Sequence, residues 1–361
     1  FQSHDWLSAW AKTAAAQSGE TALIVSARSA DGRLQVLLPL GITRVAGQPV
    51  AGFLGQSHAN YGLALVEPQI AERLTAADVR GLFRAIAGSV QLTAVRLDRQ
   101  PAIWNGRPNP FATAGGIVSA NDSHVLPMTQ PFDEMVAGRF SARTRSTLRR
   151  KARKLAGLGG YRITQAGDTA RRMELIALFL AAKSRQLRDG GIPDVFGDPG
   201  VVAFYRALAG QTPGSPQGIM ITALEAGGMI GAIALTIDDG DRRYLLNAAL
   251  MDENLRESSP GLLLLTGDIE DACAAGRTHY DLGPGAAAYK SAWTPELIPL
   301  VTTIFPLSSA GAPLTAWMTA AALAKRTIKR NPTLWSLARN SRRSLFGTGM
   351  IGAGNGALRP R

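Results

Sequence analysis

The sequence predicts an α/β (α+β) fold in two domains, each a mixed, twisted sheet flanked by helices, with a basic helical C-terminal tail. Three observations carry this. At 361 residues the chain is long for one core, since domains run ~100–200 residues. A hydrophobic content of 46% and a mean hydropathy of +0.03 describe globular cores, because a disordered chain lacks apolar residues to bury. Strand-like runs alternate with amphipathic segments on both sides of a Pro-, Gly-, Asn- and Ser-rich passage between Pro101 and Pro131, a natural crossing between domains. The expected division is 1–125, 126–310 and 311–361.

The first domain opens with Trp6, Leu7, Trp10 and Ala14 at helical spacing. Thr21–Ala27 and Leu34–Ile42 are strand-like and separated by the turn Ala30-Asp31-Gly32. Two further strands, Val50–Leu54 and Gly62–Val66, a helix over Gln69–Ala87 and a strand over Gln91–Leu97 complete it. In the second domain the spacing predicts helices over Phe132–Arg139 and Ser141–Leu158, then a strand over Tyr161–Gln165. Helices over Thr169–Arg188 and Val201–Ala209 and strands over Ile219–Leu224 and Met229–Ile237 follow. Ile298–Phe305 is expected to close this second sheet.

Between these elements lies RRYLLNAALMDENLRESSPGLLLLTGDIEDACAAGRTHYDLGPGAAAYKSAW, from Arg242 to Trp293. Tyr244–Leu250 suits a buried strand, and the polar run Met251–Ser258 suits a loop. Ser259 can cap a helix whose first turn holds Pro260, which needs no backbone donor there. Leu262, Leu265, Ile269 and Cys273 give that helix one apolar side, and Gly276 is placed to end it. With a second strand at Thr278–Leu282 this is a crossover unit, which requires a parallel pair. The helix amino terminus beyond the strand ends attracts anions through its free amides and dipole.

These residues carry a resemblance. Arg256, Ser259 and Gly261 occupy the positions of Q/R-x-x-G-x-G/A, the pyrophosphate loop of GNAT acyltransferases, with Ser259 in place of the first glycine and Pro260 removing one amide. Ser259–Leu265, Asp281 with Gly285, and Tyr289-Lys290 with Trp293 form the pattern S-P-G-x-L-L-L, D-x-x-x-G, Y-K-x-x-W. The chain thus resembles the CelD-type acetyltransferase family found beside cellulose and exopolysaccharide genes, a relative of the FemAB peptidyltransferases. The resemblance implies two GNAT-like domains and an acyl-CoA co-substrate held by Arg256, Ser258, Ser259 and Gly261. It also implies substrate contacts from Asn60 and Tyr61 in a first-domain loop, Arg185 in L-x-x-x-x-R-x-x-x-x-G, and Tyr244.

Acyl transfer from a thioester by direct attack needs alignment, proton removal and oxyanion stabilisation, and no covalent nucleophile. Asp281, Tyr289 and Lys290 are the candidate catalytic groups: Asp281 as base if burial raises its pKa, Tyr289 as acid to the leaving thiolate, and Lys290 as an anion anchor. The plain alternatives are a turn cap, a core aromatic and a surface charge. Histidines at 4, 58, 124 and 279 lack metal-ligand spacing, so no metal is expected. Cys273 reads as a small core residue. Gly347 to Gly352 satisfies G-x-G-x-x-G but follows no strand and opens no helix, so it is read as tail.

The net charge of +12 is localised. Arg139–Lys154 holds eight basic residues and no acidic one, and the chain after Glu296 holds nine and none. The first run is read as a solvated helix face before a phosphate site. The tail helices, Pro313–Arg330 and Thr333–Phe346, either suit an anionic membrane, at ~1 kcal/mol per basic residue near it, or pack back on the first domain. Without a basic, apolar leader or ~20 consecutive apolar residues, the expected home is cytoplasmic, peripheral on the inner membrane face if the tail docks there. A small-molecule or saccharide acceptor is expected, and nucleic acid only as a tRNA donor carrier. Two alternatives stay open: a degenerate, non-catalytic adaptor at a membrane or polysaccharide-synthesis complex, and an aminoacyl-tRNA-dependent transferase.

Overall fold

Helix starts follow local chemistry. Ser3 Oγ accepts from the Trp6 amide at the head of α1 (His4–Trp10), which continues through a π-turn, Ala11–Ala15, into α2 (Ala16–Ser18). There follow β1 (Thr21–Arg28), β2 (Leu34–Val45), β3 (Gln48–Phe53), β4 (Leu65–Val66), α3 (Pro68–Ala71), α4 (Ala76–Ser89) and β5 (Ala94–Pro101). The hairpin β6 (Ile103–Trp104) and β7 (Arg107–Pro108) leads to α5 (Pro110–Thr113), β8 (Gly116–Val118) and β9 (Ser123–Pro127). Next come α6 (Phe132–Arg139), α7 (Ala142–Ala156), β10 (Tyr161–Gln165), α8 (Thr169–Asp189) and α9 (Pro199–Ala209). Strands β11 (Met220–Ala226), β12 (Met229–Asp239) and β13 (Arg242–Leu250) precede α10 (Pro260–Ala274), β14 (His279–Pro284) and α11 (Ala288–Trp293). Then come β15 (Leu297–Ile298), β16 (Leu300–Pro306) and α12 (Gly311–Arg330). The computed structural model describes residues 1–55, 58–211, 218–252, 255–294, 296–331 and 333–337.

The chain folds as two units, Phe1–Asp122 with Ile298–Ser341, and Ser123–Leu297. In the first, the strand order is β1-β2-β3-β5-β16-β8, with β4 on β2. Leu38, Leu40, Phe83, Leu97 and Phe111 are fully buried at its core. The single helix expected over Gln69–Ala87 is two, because Thr75 and Asp78 form a capping box that starts a new helix between them. The strand expected over Gly62–Val66 is reduced to β4.

The larger correction concerns β16. Expected in the second sheet, it lies in the first, antiparallel to both β5 and β8. Its hydroxyls fix it there: Thr302 donates to Asp98 and Thr303 to the Phe111 carbonyl, while Gln100 donates to Thr303. A period-two pattern identifies a strand but not its partner. α12 belongs to the same unit, packing Leu314 and Met318 against Val50 and Ala94. Most of the expected helix Thr333–Phe346, and the glycines at 347–352, lie outside the described residues.

The second unit has the order β10-β11-β12-β13-β14-β9-β15. Strands β10 to β13 form an antiparallel meander, β13 and β14 are parallel, and β9 is antiparallel to β14. α10 is the crossover between the parallel strands, with Leu264, Ile269 and Ala272 buried. Phe140, Tyr280 and Trp293 are buried in the same core, Phe140 and Trp293 in edge-to-face contact at 4.8 Å.

Candidate active site

The parallel strands of the second unit pair only at Arg242↔His279, Arg243↔Tyr280 and Tyr244↔Asp281. Beyond that point they part. On β13, Leu245 and Asn247 oppose Thr236 and Leu235, so Leu246 is the extra residue of a bulge, which bends the strand. On β14, Gly283 adopts φ 74°, its amide donates to Asp281 Oδ1 at 2.8 Å, and the register with β9 shifts between Asp281 and Gly283. Beyond Tyr244 and Asp281 the two strands no longer pair, so a wedge separates Leu246–Leu250 from Leu282–Pro284.

The chain leaves β13 for the loop ahead of α10. Arg256–Ser258 is a 3-10 turn, with Arg256 exposed and Ser258 buried. Ser259 adopts the left-handed conformation, φ 51° and ψ 56°. Its carbonyl accepts from the Leu262 and Leu263 amides. With Pro260 lacking a donor, the Gly261 amide is the first-turn donor not engaged by Ser259. A Cβ on Gly261 would stand 2.7 Å from Leu250 Cδ2, so this glycine lets the helix approach β13.

Ser259 does not cap α10 as expected; its side chain makes no cap hydrogen bond, and Oγ accepts from Lys151 Nζ. Lys154 pairs with Glu257 at 2.5 Å. The basic run read as a solvated face therefore contributes at least one cation to the loop. Lys151 lies three residues after buried Leu148 and four before buried Leu155, a half-inward position that the helical spacing could have singled out. Burial, then the neighbouring Arg150, lowers its pKa.

At the strand end, Asp281 is fully buried. It accepts from Arg242 Nη1 at 3.3 Å as well as from the Gly283 amide. Lys290 is also buried, with Nζ donating to the Gly283 and Pro284 carbonyls at 3.1 and 3.0 Å. Burial pushes its pKa down to about 8, opposed by Asp281 and reinforced by the charge of Lys183. Lys183, on α8, is likewise lowered to about 8 by burial, and its Nζ stands 6.0 Å from the Phe196 ring centroid. Tyr289 is 36% exposed as a residue, yet burial of its phenol pushes the pKa up to about 12. Tyr244 is buried 5.9 Å from the Arg242 guanidinium carbon, and burial raises its pKa.

Thus Tyr244, Asp281 and Lys290 gather where the strands part, and Arg256, Ser258, Ser259 and Gly261 form the loop that follows β13. Arg185 is exposed on α8; the same helix brings Lys183 toward Lys290 instead, because two residues on a helix turn the side chain by about 200°. Asn60 and Tyr61 belong to the first unit and are buried. Tyr61 packs on Trp104 with centroids 4.9 Å apart, and its carbonyl accepts from Gln2. The sequence reading also missed a buried cluster in which Tyr280 donates to Asp268 at 2.5 Å. There Arg243 binds Asp238 and Asp271, both at 2.7 Å. Among the described residues no group of His, Cys, Asp or Glu could hold a metal.

Residues 142–291 match a family model described as an acetyltransferase (GNAT) domain. That span runs from α7 into α11 and contains the wedge, the loop and the two lysines. FemX has a similar structure, with 15% identity over 87% of this chain and 93% of its own, and a TM-score of 0.56. The C-terminal DUF2156 domain of a protein from Agrobacterium fabrum, described as a lysylphosphatidylglycerol synthetase, is 11% identical over 88% and 91% of the two chains, with a TM-score of 0.52. A conserved protein of unknown function from Bacteroides thetaiotaomicron is 9% identical over 83% and 88%, with a TM-score of 0.51. No curated protein matches by sequence. At these identities the likeness is one of fold, and it agrees with mixed sheets flanked by helices in both units.

Proposed function

We propose that the second unit transfers an acyl group from an acyl-CoA to an amine or hydroxyl of an envelope- or polysaccharide-related acceptor. The observation that carries this reading is the wedge between β13 and β14, open beyond Tyr244 and Asp281. An extended donor bearing amides can add to the β13 edge as a further strand. Its diphosphate would reach the start of α10, where the Gly261 amide, Lys151 and Arg256 offer a backbone donor and two cations.

The acceptor attacks the thioester carbonyl, its proton passes to Lys290 in the neutral form, and the carbon–sulfur bond breaks. Tyr289 returns a proton to the departing thiolate. Amides at the Leu246 bulge stabilise the transient oxyanion. Asp281, held between Arg242 and the Gly283 amide, is a positioning residue that keeps the turn parting the strands.

Calorimetric titration with acetyl-CoA and a longer acyl-CoA tests the donor. Saturable binding is expected, weakened about tenfold in Lys151→Ala, in line with loss of one charge-assisted contact. No binding by the folded protein would reject the acyl-CoA reading and favour the adaptor. A second reading, an aminoacyl-tRNA donor, draws support from Arg143, Arg149, Arg150 and Arg153, exposed on the same helix as Lys151. Activity destroyed by ribonuclease would select it.

A further inference from the structure

α12 buries only one end. Gly311, Leu314, Thr315 and Met318 are buried, and a Cβ on Gly311 would stand 2.2 Å from the Thr93 carbonyl oxygen, so the helix starts tight against its unit. After Met318 none of its residues is buried. The spacing of Leu314, Trp317, Met318, Ala321 and Ile328 suggests one shared face, but the structure divides them. Leu314 and Met318 point in, while Trp317, Ala321, Ala324 and Ile328 form an exposed stripe at spacings of four, three and four. Trp317 is 59% exposed and Leu323, on the shoulder, 43%.

Basic residues gather at the far end of this stripe. Lys325 is exposed and Arg326 half-exposed; Lys329 reaches Asn121 at 2.7 Å and Arg330 reaches Asp122 at 3.5 Å. Leu334, Trp335 and Leu337 follow, all exposed. Beyond Glu296 the sequence has nine basic residues and no acidic one. Among the described residues no helix is long and apolar enough to cross a membrane.

We propose that the outer face of α12 docks in the plane of an anionic lipid surface. Trp317 and the stripe below it enter the boundary between headgroups and acyl chains, where indole is favoured. Lys325 and Arg326 meet the lipid phosphates. Charge selects this occupant: α12 carries four basic residues and no carboxylate, which is complementary to a uniformly anionic sheet. The inference is independent of the acyl-transfer reading.

The test is co-sedimentation of the full chain with vesicles of phosphatidylcholine alone and of phosphatidylcholine mixed with phosphatidylglycerol. Binding to the mixed vesicles alone is expected. Each basic residue near such a surface tightens binding roughly fivefold, so Lys325→Gln with Arg326→Gln should weaken it about 25-fold, and Trp317→Ser about tenfold. Both variants alter side chains outside the core, and if one failed to fold the other would still report. Equal binding to both vesicle types, or none, would overturn the proposal. So would a concentration-dependent dimer lost in Trp317→Ser, which would assign the face to a second copy of the chain.

Discussion

Replacing Lys290 by Met removes a buried ammonium whose pKa is lowered from 10.5 to about 8. At about 1.36 kcal/mol per pKa unit, holding that charge costs the folded state roughly 3 kcal/mol. The sign follows from linkage. Below about pH 8 the amine is charged in both folded and unfolded states, and the cost is fully present. Between about 8 and 10.5 the unfolded chain binds more protons, so stability rises with pH, and above that range the cost is gone. Lys290→Met abolishes this rise but orphans the Gly283 and Pro284 carbonyls, at about 1–3 kcal/mol for each lost partner. The two effects oppose, so urea unfolding at pH 7 should show little change, while the gain between pH 8 and 10 should shrink. Lys183 titrates in the same range, so part of that gain persists. In a thiol-release assay the rate should climb with pH to a plateau above about 8, and Lys290→Met should lose ~10²- to 10⁴-fold and the climb with it. Lys183→Met removes a neighbouring positive charge, so it should move the climb to higher pH. An unaltered pH profile in Lys290→Met would refute the assignment of this amine as the proton acceptor.

Asp268 supplies a pH test of stability without substrate. Burial, against the pull of Arg243, lifts its carboxyl to about 6, so the folded state holds the proton longer than the unfolded chain. Stability should therefore fall by roughly 3 kcal/mol as pH rises from about 4 to 6, and Asp268→Asn should flatten that window in urea unfolding; an unchanged slope would place the titration elsewhere. Gly62→Ala would set a methyl 2.3 Å from a Phe53 ring carbon and 2.6 Å from the Asp98 carbonyl oxygen. A loss of about 2–3 kcal/mol is expected by calorimetry, and a wild-type melting point would show that the loop yields. Asp281→Asn should leave a turn acceptor but weaken the pair with Arg242, lowering turnover, and, because it removes the charge that holds the Lys290 pKa up, move the pH climb below 8; loss of the climb would make Asp281 the base.

What the sequence determined by itself is local. Pro260 opens α10 and the strands from Tyr161 to Leu250 follow their apolar runs, because proline geometry and side-chain period act within a few residues; the Thr75–Asp78 capping box is equally local, yet the apolar spacing across it reads as one helix. The position of the loop ahead of α10 was legible for the same reason, though not the Ser259 side chain, which meets Lys151 instead of capping. So was the placing of Asp281, Tyr289 and Lys290 at a strand end and a helix start. Contacts between distant segments were decided only in the tertiary structure. Thr303 chooses the sheet of Gln100 and Phe111, Lys151 meets Ser259 across more than a hundred residues, and Lys183 replaces Arg185 beside Lys290. Trp317 is turned outward although its spacing matches Leu314 and Met318. Periodicity states which residues share a side of an element; what covers that side depends on which surfaces bury the most apolar area together, and that competition is settled only when the whole chain has packed.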